Sequence, residues 1–329
     1  MSRPGRGDRA RGKLATGLAD LIGKLRANNP LALFANLARN ARVPTVIELG
    51  CADPASPCKL PNAMAGDPPL RQVVTHTFEA GWRAKVSPQT QWTAGVFRAN
   101  STDDILFVAS DTQNGFGYFR NFGQTRRQGL ELGVQSRQNN WSFGGHYTWL
   151  QATYQSPETL GGSANSSSDA SAPGLDGQIT VRPGNAIPLI PRHILKLNAD
   201  HQLNATWRVG ASMVATSGMF ARGNENNQHQ SDGVNYLGSG RTAGYAVVNL
   251  NARYQPVANT TWTLNIANLF STAYATAAQM GPTAFSANGQ QFVARPYAAL
   301  GSEYPLQNSM FMAPGAPRTL WLSLRQRFN

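Results

Sequence analysis

The chain has 329 residues, enough for one large domain or two ordinary ones. Only 14% are charged, against about a quarter in soluble domains, and no run of 18 apolar residues occurs, which excludes a transmembrane helix but not a β-barrel. The formal charge of +12 does not make a nucleic-acid surface: nine Lys/Arg against two acids put +7 into residues 1–42 and leave +5 for the other 287.

Residues 1–44 differ from the rest. The opening MSRPGRGDRARGK is basic and Gly-rich, so disorder is expected there. Leu14 to Ala41 is expected to form an amphipathic helix, with Leu14, Leu18, Leu21, Ile22 and Leu25 near helical spacing. Asp20, Lys24 and Arg26 interrupt the apolar run, so the segment does not read as a secretory signal. We expect residues 1–44 to be an atypical segment, disordered or helical, arising by truncation or from a shifted reading frame; a membrane-surface helix is the alternative. The barrel-like part is expected to run from 45 to 329.

Residues 45–72 are Pro-rich and polar and read as a long exposed loop. They hold both cysteines, Cys51 and Cys58, in CADPASPC. Two prolines bend the intervening chain, so a small disulfide-closed loop is expected in an oxidising compartment, with two neighbouring free thiols as the bland alternative. A metal or redox motif would need C-x-x-C and further partners.

Nine stretches then alternate apolar and polar side chains with period two, the signature of strands with two unlike faces. They are 73–86, 91–109, 118–136, 141–154, 193–203, 206–217, 244–255, 260–270 and the terminal 319–328. In the second, clean alternation fails at Asp103-Asp104. In the fourth, Trp141, Phe143, Tyr147 and Trp149 oppose Ser142, Gly144, His146 and Thr148. In the last, Leu320, Leu322, Leu324 and Phe328 oppose Thr319, Ser323, Arg325 and Arg327, with Trp321 and Gln326 as exceptions.

The connections alternate too. Ser87–Gln89, Gln138–Asn140, Asn204–Ala205 and Pro256–Asn259 are short turns; 104–117, 155–192, 218–243 and 271–316 are long. Short turns on one side and long loops on the other are the asymmetry of an outer-membrane barrel, and loops of that length at every second connection do not suit a soluble sandwich. Trp92, Trp141, Trp149, Trp207, Tyr254 and Trp262 lie near strand ends, as a membrane girdle requires. If Phe328 is periplasmic, every short turn is periplasmic, and the long loops and the cysteine loop lie outside.

No catalytic constellation, cofactor motif or metal-ligand spacing is found. His76, His146, His193, His201 and His229 are scattered. His193 reads as structural, and Glu131 beside Arg126 and Arg127 reads as an ion pair on the polar face. The loop 223–233 is polar enough to touch a ligand, although such loops are usually only solvated. Ligand-contacting residues are not assigned.

Seven segments taken together resemble the C-terminal part of TonB-dependent outer-membrane receptors: IELGCADPASPCKLPN (47–62), VVTHTFEAGWR (73–83), TRRQGLELGV (125–134), PLIPRH (188–193), GYAVVNLNARY (244–254), NIANLFSTAY (265–274) and PGAPRTLWLSLRQRF (314–328). The resemblance implies an all-β fold, an antiparallel transmembrane barrel portion of about nine strands out of the family's 22, without the family's N-terminal plug. It implies a fragment of an importer of scarce ligands such as ferric siderophores, haem, cobalamin or oligosaccharides, not transport-competent alone. Implied partners are outer-membrane lipid, the barrel-assembly machinery reading Leu320, Leu322, Leu324 and Phe328, an unknown small extracellular ligand, and the TonB complex where a plug is present. The family usually ends on its terminal aromatic; here Asn329 follows Phe328. A small porin-like or adhesin-like barrel and a soluble β-rich binding protein are the competing readings.

Overall fold

The structure is a computed structural model that describes residues 31–53, 55, 70–109, 117–162, 164–175, 177–285, 291, 300 and 305–328. Its main element is one antiparallel sheet of ten strands: β1 (Leu31–Arg42), β2 (Val73–Ser87), β3 (Thr90–Ala109), β4 (Gly117–Gln138), β5 (Trp141–Tyr154), β8 (His193–Gln202), β9 (Trp207–Thr216), β10 (Tyr245–Val257), β11 (Thr260–Ala267) and β14 (Thr319–Gln326). Each strand pairs with its predecessor in this order, so the sheet is an up-and-down meander. Among the described residues β1 is bonded to β2 alone and β14 to β11 alone. Two small hairpins stand in the long connections, β6 (Glu158–Gly161) with β7 (Gln178–Val181) and β12 (Ala275–Pro282) with β13 (Asn308–Pro314).

All nine expected strands are present, within a few residues of their expected ends. Strand β1 is the correction. The helix expected over Leu14–Ala41 is overturned for its described part: Leu31–Arg42 pair with β2 from Arg42↔Val73 through Leu31↔Ala84, without a register break. Ala, Leu and Arg favour a helix in isolation, but here the backbone bonds to β2 and alternate side chains match its two faces. Residues 1–30 lie outside the described residues. A second correction is a single helical turn, α1 (Val46–Leu49), inside the expected loop. Thr45 and Glu48 form a reciprocal capping box there, and Glu48 also holds Arg42 at 2.7 Å.

The two faces of the sheet are unlike. One lateral row runs Leu33, Trp82, Ala94, Leu132, Tyr147, Leu195, Ala215 and Ala246 across β1 to β10. A row on the opposite face runs Lys85, Gln91, Gln135, Gly144, Asn198, Ser212 and Asn249. The apolar face is the exposed one: Leu37 is 72% exposed and Leu320 64%, and Trp82, Trp92, Trp141, Trp207 and Trp262 are all exposed. Buried apolar residues gather instead at the long-loop end, as in the cluster of Val108, Phe122, Ala152, Tyr154, Leu160, Ile179, Val181 and Ile187. A protein in water buries its greasy wall; here the wall is outward and the packed core is in the loops.

The alternation does fail at Asp103. It sits at φ +57° and is skipped in the pairing between Thr102↔Gln124 and Asp104↔Phe122. The strands continue past the flaw to Ala109↔Gly117, so residues 104–109 and 117 of the expected loop are paired strand instead, and 110–116 lie outside the described residues.

Candidate functional site: polar wall and loop roof

The apolar face has a measurable height. At the short-turn end Trp141 pairs with Gln138 and stacks on His201 at 4.0 Å; Trp207 stacks on Tyr254 at 4.5 Å, and Tyr254 pairs with Trp262. At the other end the face turns polar where Gln128 donates to Gln151 at 2.9 Å, in the row that also holds Arg98. Ten residues of β4 separate Gln138 from Gln128. At about 3.3 Å per residue and a tilt of 35–45°, that is about 23–27 Å of height, against about 25 Å for the apolar band of an outer-membrane barrel.

The opposite face carries Glu79, Arg83, Lys85, Gln91, Glu131, Gln135, His146 and Lys196, in register across neighbouring strands. Its aromatic side chains cover glycines of the adjacent strand. A Cβ on Gly81 would lie 2.6 Å from the tip of the Phe34 ring, and Arg83 stands 5.2 Å over the same ring. Arg127 pairs with Asp104 at 3.1 Å, and Thr125 donates to the same carboxylate at 2.7 Å. The ion pair expected with Glu131 is corrected accordingly: beyond the flaw at Asp103 the Asp104 side chain turns to the polar face and reaches Arg127 first. His193 is structural as expected, with Nδ1 2.8 Å from the Tyr147 hydroxyl and its N–H on Ser217 Oγ.

Three long loops form a roof at one end of this wall. Hairpin β6–β7 packs on the tops of β3 to β5 through the buried cluster, and Glu158 holds Arg120 at 2.6 Å. The loop 218–243 bonds near its start to β12, with Arg222 N donating to Ala278 O and Met280 N to Arg222 O, and near its end to the first residue of β13, with Leu237 N donating to Asn308 O and Asn308 N to Asn235 O. Its polar stretch, expected to be solvated or ligand-facing, instead has a buried half. Asn224, Asn226 and His229 are buried with Asn165 of the loop 155–192. Asn165 Nδ2 donates to Gly223 O at 2.8 Å, Asn226 Nδ2 to Ser167 Oγ at 2.8 Å, and Ser166 N to His229 Nδ1 at 3.1 Å. Gln228, Gln230, Ser231 and Asp232 remain exposed. Burial pushes the Glu225 carboxyl up, with the Gly223 N–H and Arg222 pulling against it. Desolvation would also raise Asp232, but the N–H groups of Tyr236, Val234 and Asn235 hold it below its usual value. Among the described residues no three of His, Cys, Asp or Glu gather to hold a metal.

Cys51 lies against the same end of the sheet, beside Gly117 and Phe119. Cys51 is 1% exposed and disulfide-bonded, its carbonyl accepting from Phe119 N. Its expected partner Cys58 lies outside the described residues. Asn121 fastens the returning chain, accepting from Arg71 N at 2.8 Å and donating to Arg71 O at 2.9 Å.

Two segments far apart in sequence meet before the last strand. Asn268, 2% exposed and at φ +49°, donates through Nδ2 to Thr272 O and Ala316 O and accepts from Thr272 N. Gly315 lies under the Tyr274 ring, where a Cβ would sit 2.1 Å from ring carbons, and its N–H donates to Tyr274 O at 2.8 Å. NLFSTAY and PGAPR are therefore two halves of one joint. Beyond it Leu320, Leu322 and Leu324 face outward beside Ile266, Leu264 and Trp262, and Phe328 is 90% exposed.

An apolar outer wall of bilayer height, a polar inner wall and a loop roof define part of an outer-membrane β-barrel. The model of the TonB dependent receptor-like β-barrel family matches residues 18–269, and the chain belongs to that family. Solved structures agree in fold. The ferric-catecholate import receptor Fiu from E. coli K12 in its closed form is 20% identical with a TM-score of 0.53, over 91% of this chain and 33% of that one. The siderophore receptor PiuA from Acinetobacter baumannii is 17% identical with a TM-score of 0.56, over 92% and 34%. The ferric yersiniabactin uptake receptor FyuA from Yersinia pestis is 14% identical with a TM-score of 0.56, over 92% and 36%. The chain thus spans about a third of the length of these receptors. No curated protein sequence matches it.

Proposed function

We propose that this chain is a portion of the wall and roof of an importer that takes a ferric siderophore across the outer membrane. The observation that carries the reading is the inverted distribution of apolar side chains, greasy outside and polar inside, under a packed roof of loops. The ligand class is supported by the names of the similar structures, a ferric-catecholate importer, a siderophore receptor and a ferric yersiniabactin receptor. The role is non-enzymatic: wall and roof select and enclose, and no bond of the ligand is broken.

Transport would need further wall strands beside β1 and β14, and a plug able to engage TonB. The chain by itself is therefore transport-incompetent in this reading. Cys51 pairs with Cys58 to close the first outer loop, while Leu320, Leu322, Leu324 and Phe328 present the outward stripe read by the barrel-assembly machinery.

Exported to the outer membrane of a host lacking its own ferric-siderophore receptors, the chain should fractionate with that membrane. It should bind radiolabelled ferric catecholate weakly and import none. Binding of haem or cobalamin in its place would reassign the ligand. Iron uptake by the chain alone would overturn transport incompetence, and recovery as a monomer soluble without detergent would overturn the barrel.

A further inference from the structure

One buried group in the roof has a chemistry that the barrel reading leaves unused. His229 is 8% exposed and lies where the loops 155–192 and 218–243 meet. Both ring nitrogens are engaged. Nδ1 accepts from the backbone N–H of Ser166 at 3.1 Å, across the junction, and Nε2 donates to Gly238 O at 2.9 Å within its own loop. These two partners fix the neutral Nε2–H tautomer, because a backbone N–H can only donate and a carbonyl can only accept. The ring edge meets the Tyr236 ring at 5.9 Å, and the backbone N–H of His229 donates to Asn224 Oδ1 at 3.1 Å.

We propose that His229 is a proton-operated clasp that holds the loops 155–192 and 218–243 together when neutral and parts them when protonated. A proton added at Nδ1 turns the acceptor into a donor aimed at the Ser166 N–H. The junction then holds two facing N–H groups and a buried cation, a combination the ring escapes only by moving out into water. The neighbouring bonds of the junction radiate from the same short segment, Ser166 Oγ accepting from Gln230 N and Ser167 Oγ from Asn226 Nδ2, so loss of the clasp loosens them with it.

The surroundings favour the neutral ring. Burial lowers the His229 pKa, while the Gly238 carbonyl and, more weakly, Asp232 act to raise it. Asp232 is the one charged group among those causes, and it lies on the same loop as His229. The Tyr236 hydroxyl oxygen accepts from Gly174 N, and Glu225 accepts from Gly223 N. From the loop 155–192, Asp169 is engaged by Gln178 N at 2.6 Å. From β12 and β13, Met280, Asn308 and Ser309 line a small cavity together with His229 and carry no charge.

The direction follows by linkage. In parted loops the ring titrates near its ordinary 6.5; in the closed roof it titrates lower. The clasp's contribution is full above that ordinary value and is lost as pH falls from it through the lowered one. The inference does not depend on which ligand the barrel carries.

The test is hydrogen exchange of peptides covering 164–168 and 229–240, with the chain in lipid nanodiscs at about pH 7.5 and about pH 5, corrected for intrinsic rates. Wild type should lose protection on the order of tenfold at the lower pH in these peptides and not in β4 or β5. His229→Gln, which cannot take up a proton, should show no such pH dependence. Equal protection of wild type at both pH values, or an unchanged acid response in His229→Gln, would overturn the clasp. Should His229→Gln be open at both pH values, nitrogen-15 histidine NMR of the wild type decides. An Nε2–H ring titrating below 6.5 supports the proposal, and an Nδ1–H ring or an ordinary titration refutes it.

Discussion

The sharpest consequence of an outward apolar wall is that a charge placed on it behaves oppositely to a charge placed on a soluble surface. Leu132 is 42% exposed and lies between Ala94 and Tyr147 on the outward face of β4. It is six residues above Gln138, the partner of the girdle residue Trp141, and four below the polar Gln128 row. Six residues at about 3.3 Å each and a tilt of 35–45° put it about 14–16 Å above the girdle, close to the middle of the apolar band. Leu132→Arg should therefore cost about 2–4 kcal/mol. At 1.4 kcal/mol per decade this shifts the folded-to-unfolded ratio about 30- to 700-fold. Its neighbour Glu131 faces the polar side beside Gly95 and Thr148, and Glu131→Arg should stay within about 0.5 kcal/mol. The assay is reversible urea unfolding in phospholipid vesicles, followed by tryptophan emission and by gel mobility without boiling. If Leu132→Arg were neutral or stabilising, as replacing an exposed leucine on a water-facing surface would be, the assignment of this face to lipid would fail.

Three further outcomes are expected. Gly315→Val should destabilise the terminal joint by about 1–3 kcal/mol, because its side chain meets the Tyr274 ring; Tyr274→Ala should remove most of that penalty in a double-mutant cycle on urea midpoints. Asn268→Ala should cost about 1–3 kcal/mol by leaving the Ala316 carbonyl and the Thr272 N–H without their side-chain partner, and Asn268→Gly should cost less because glycine tolerates the positive φ. The turn at 232–236 should be held fully above the ordinary carboxylate pKa and loosen as pH falls through the lowered value of Asp232, with no such response in Asp232→Asn by hydrogen exchange.

Much of the wall was legible in the sequence because one rule writes it: every second side chain meets hydrocarbon, so Trp141, Phe143 and Trp149 could be set against Ser142, Gly144 and Thr148 without any tertiary knowledge. Strand β1 escaped because LALFANLARNAR satisfies two periods at once. Its apolar residues suit a helix as well as an alternating strand, and only the twelve-residue pairing with β2 decides between them. The capping box at Thr45 and Glu48 is written in the sequence, but the prolines that follow it at 54, 57 and 61 give the segment the composition of a loop. The roof was not legible. Asn165, Asn224, Asn226 and His229 look like solvated loop residues, and their burial depends on two loops some sixty residues apart meeting face to face. The resemblance did mark both halves of the joint at Asn268, Tyr274 and Gly315, but not that they touch.

The central claim concerns which medium each face of the sheet meets, and spin-label accessibility along β4 measures that directly. Labels placed singly at 130, 131, 132, 134 and 135, with the chain in lipid bilayers, would be exposed to oxygen and to a water-soluble nickel complex. The account predicts high oxygen and low nickel access at 130, 132 and 134, and the reverse at 131 and 135. Nickel access at the even positions equal to that at the odd ones, or low access to both reagents at the even positions as in a sealed core, would contradict it.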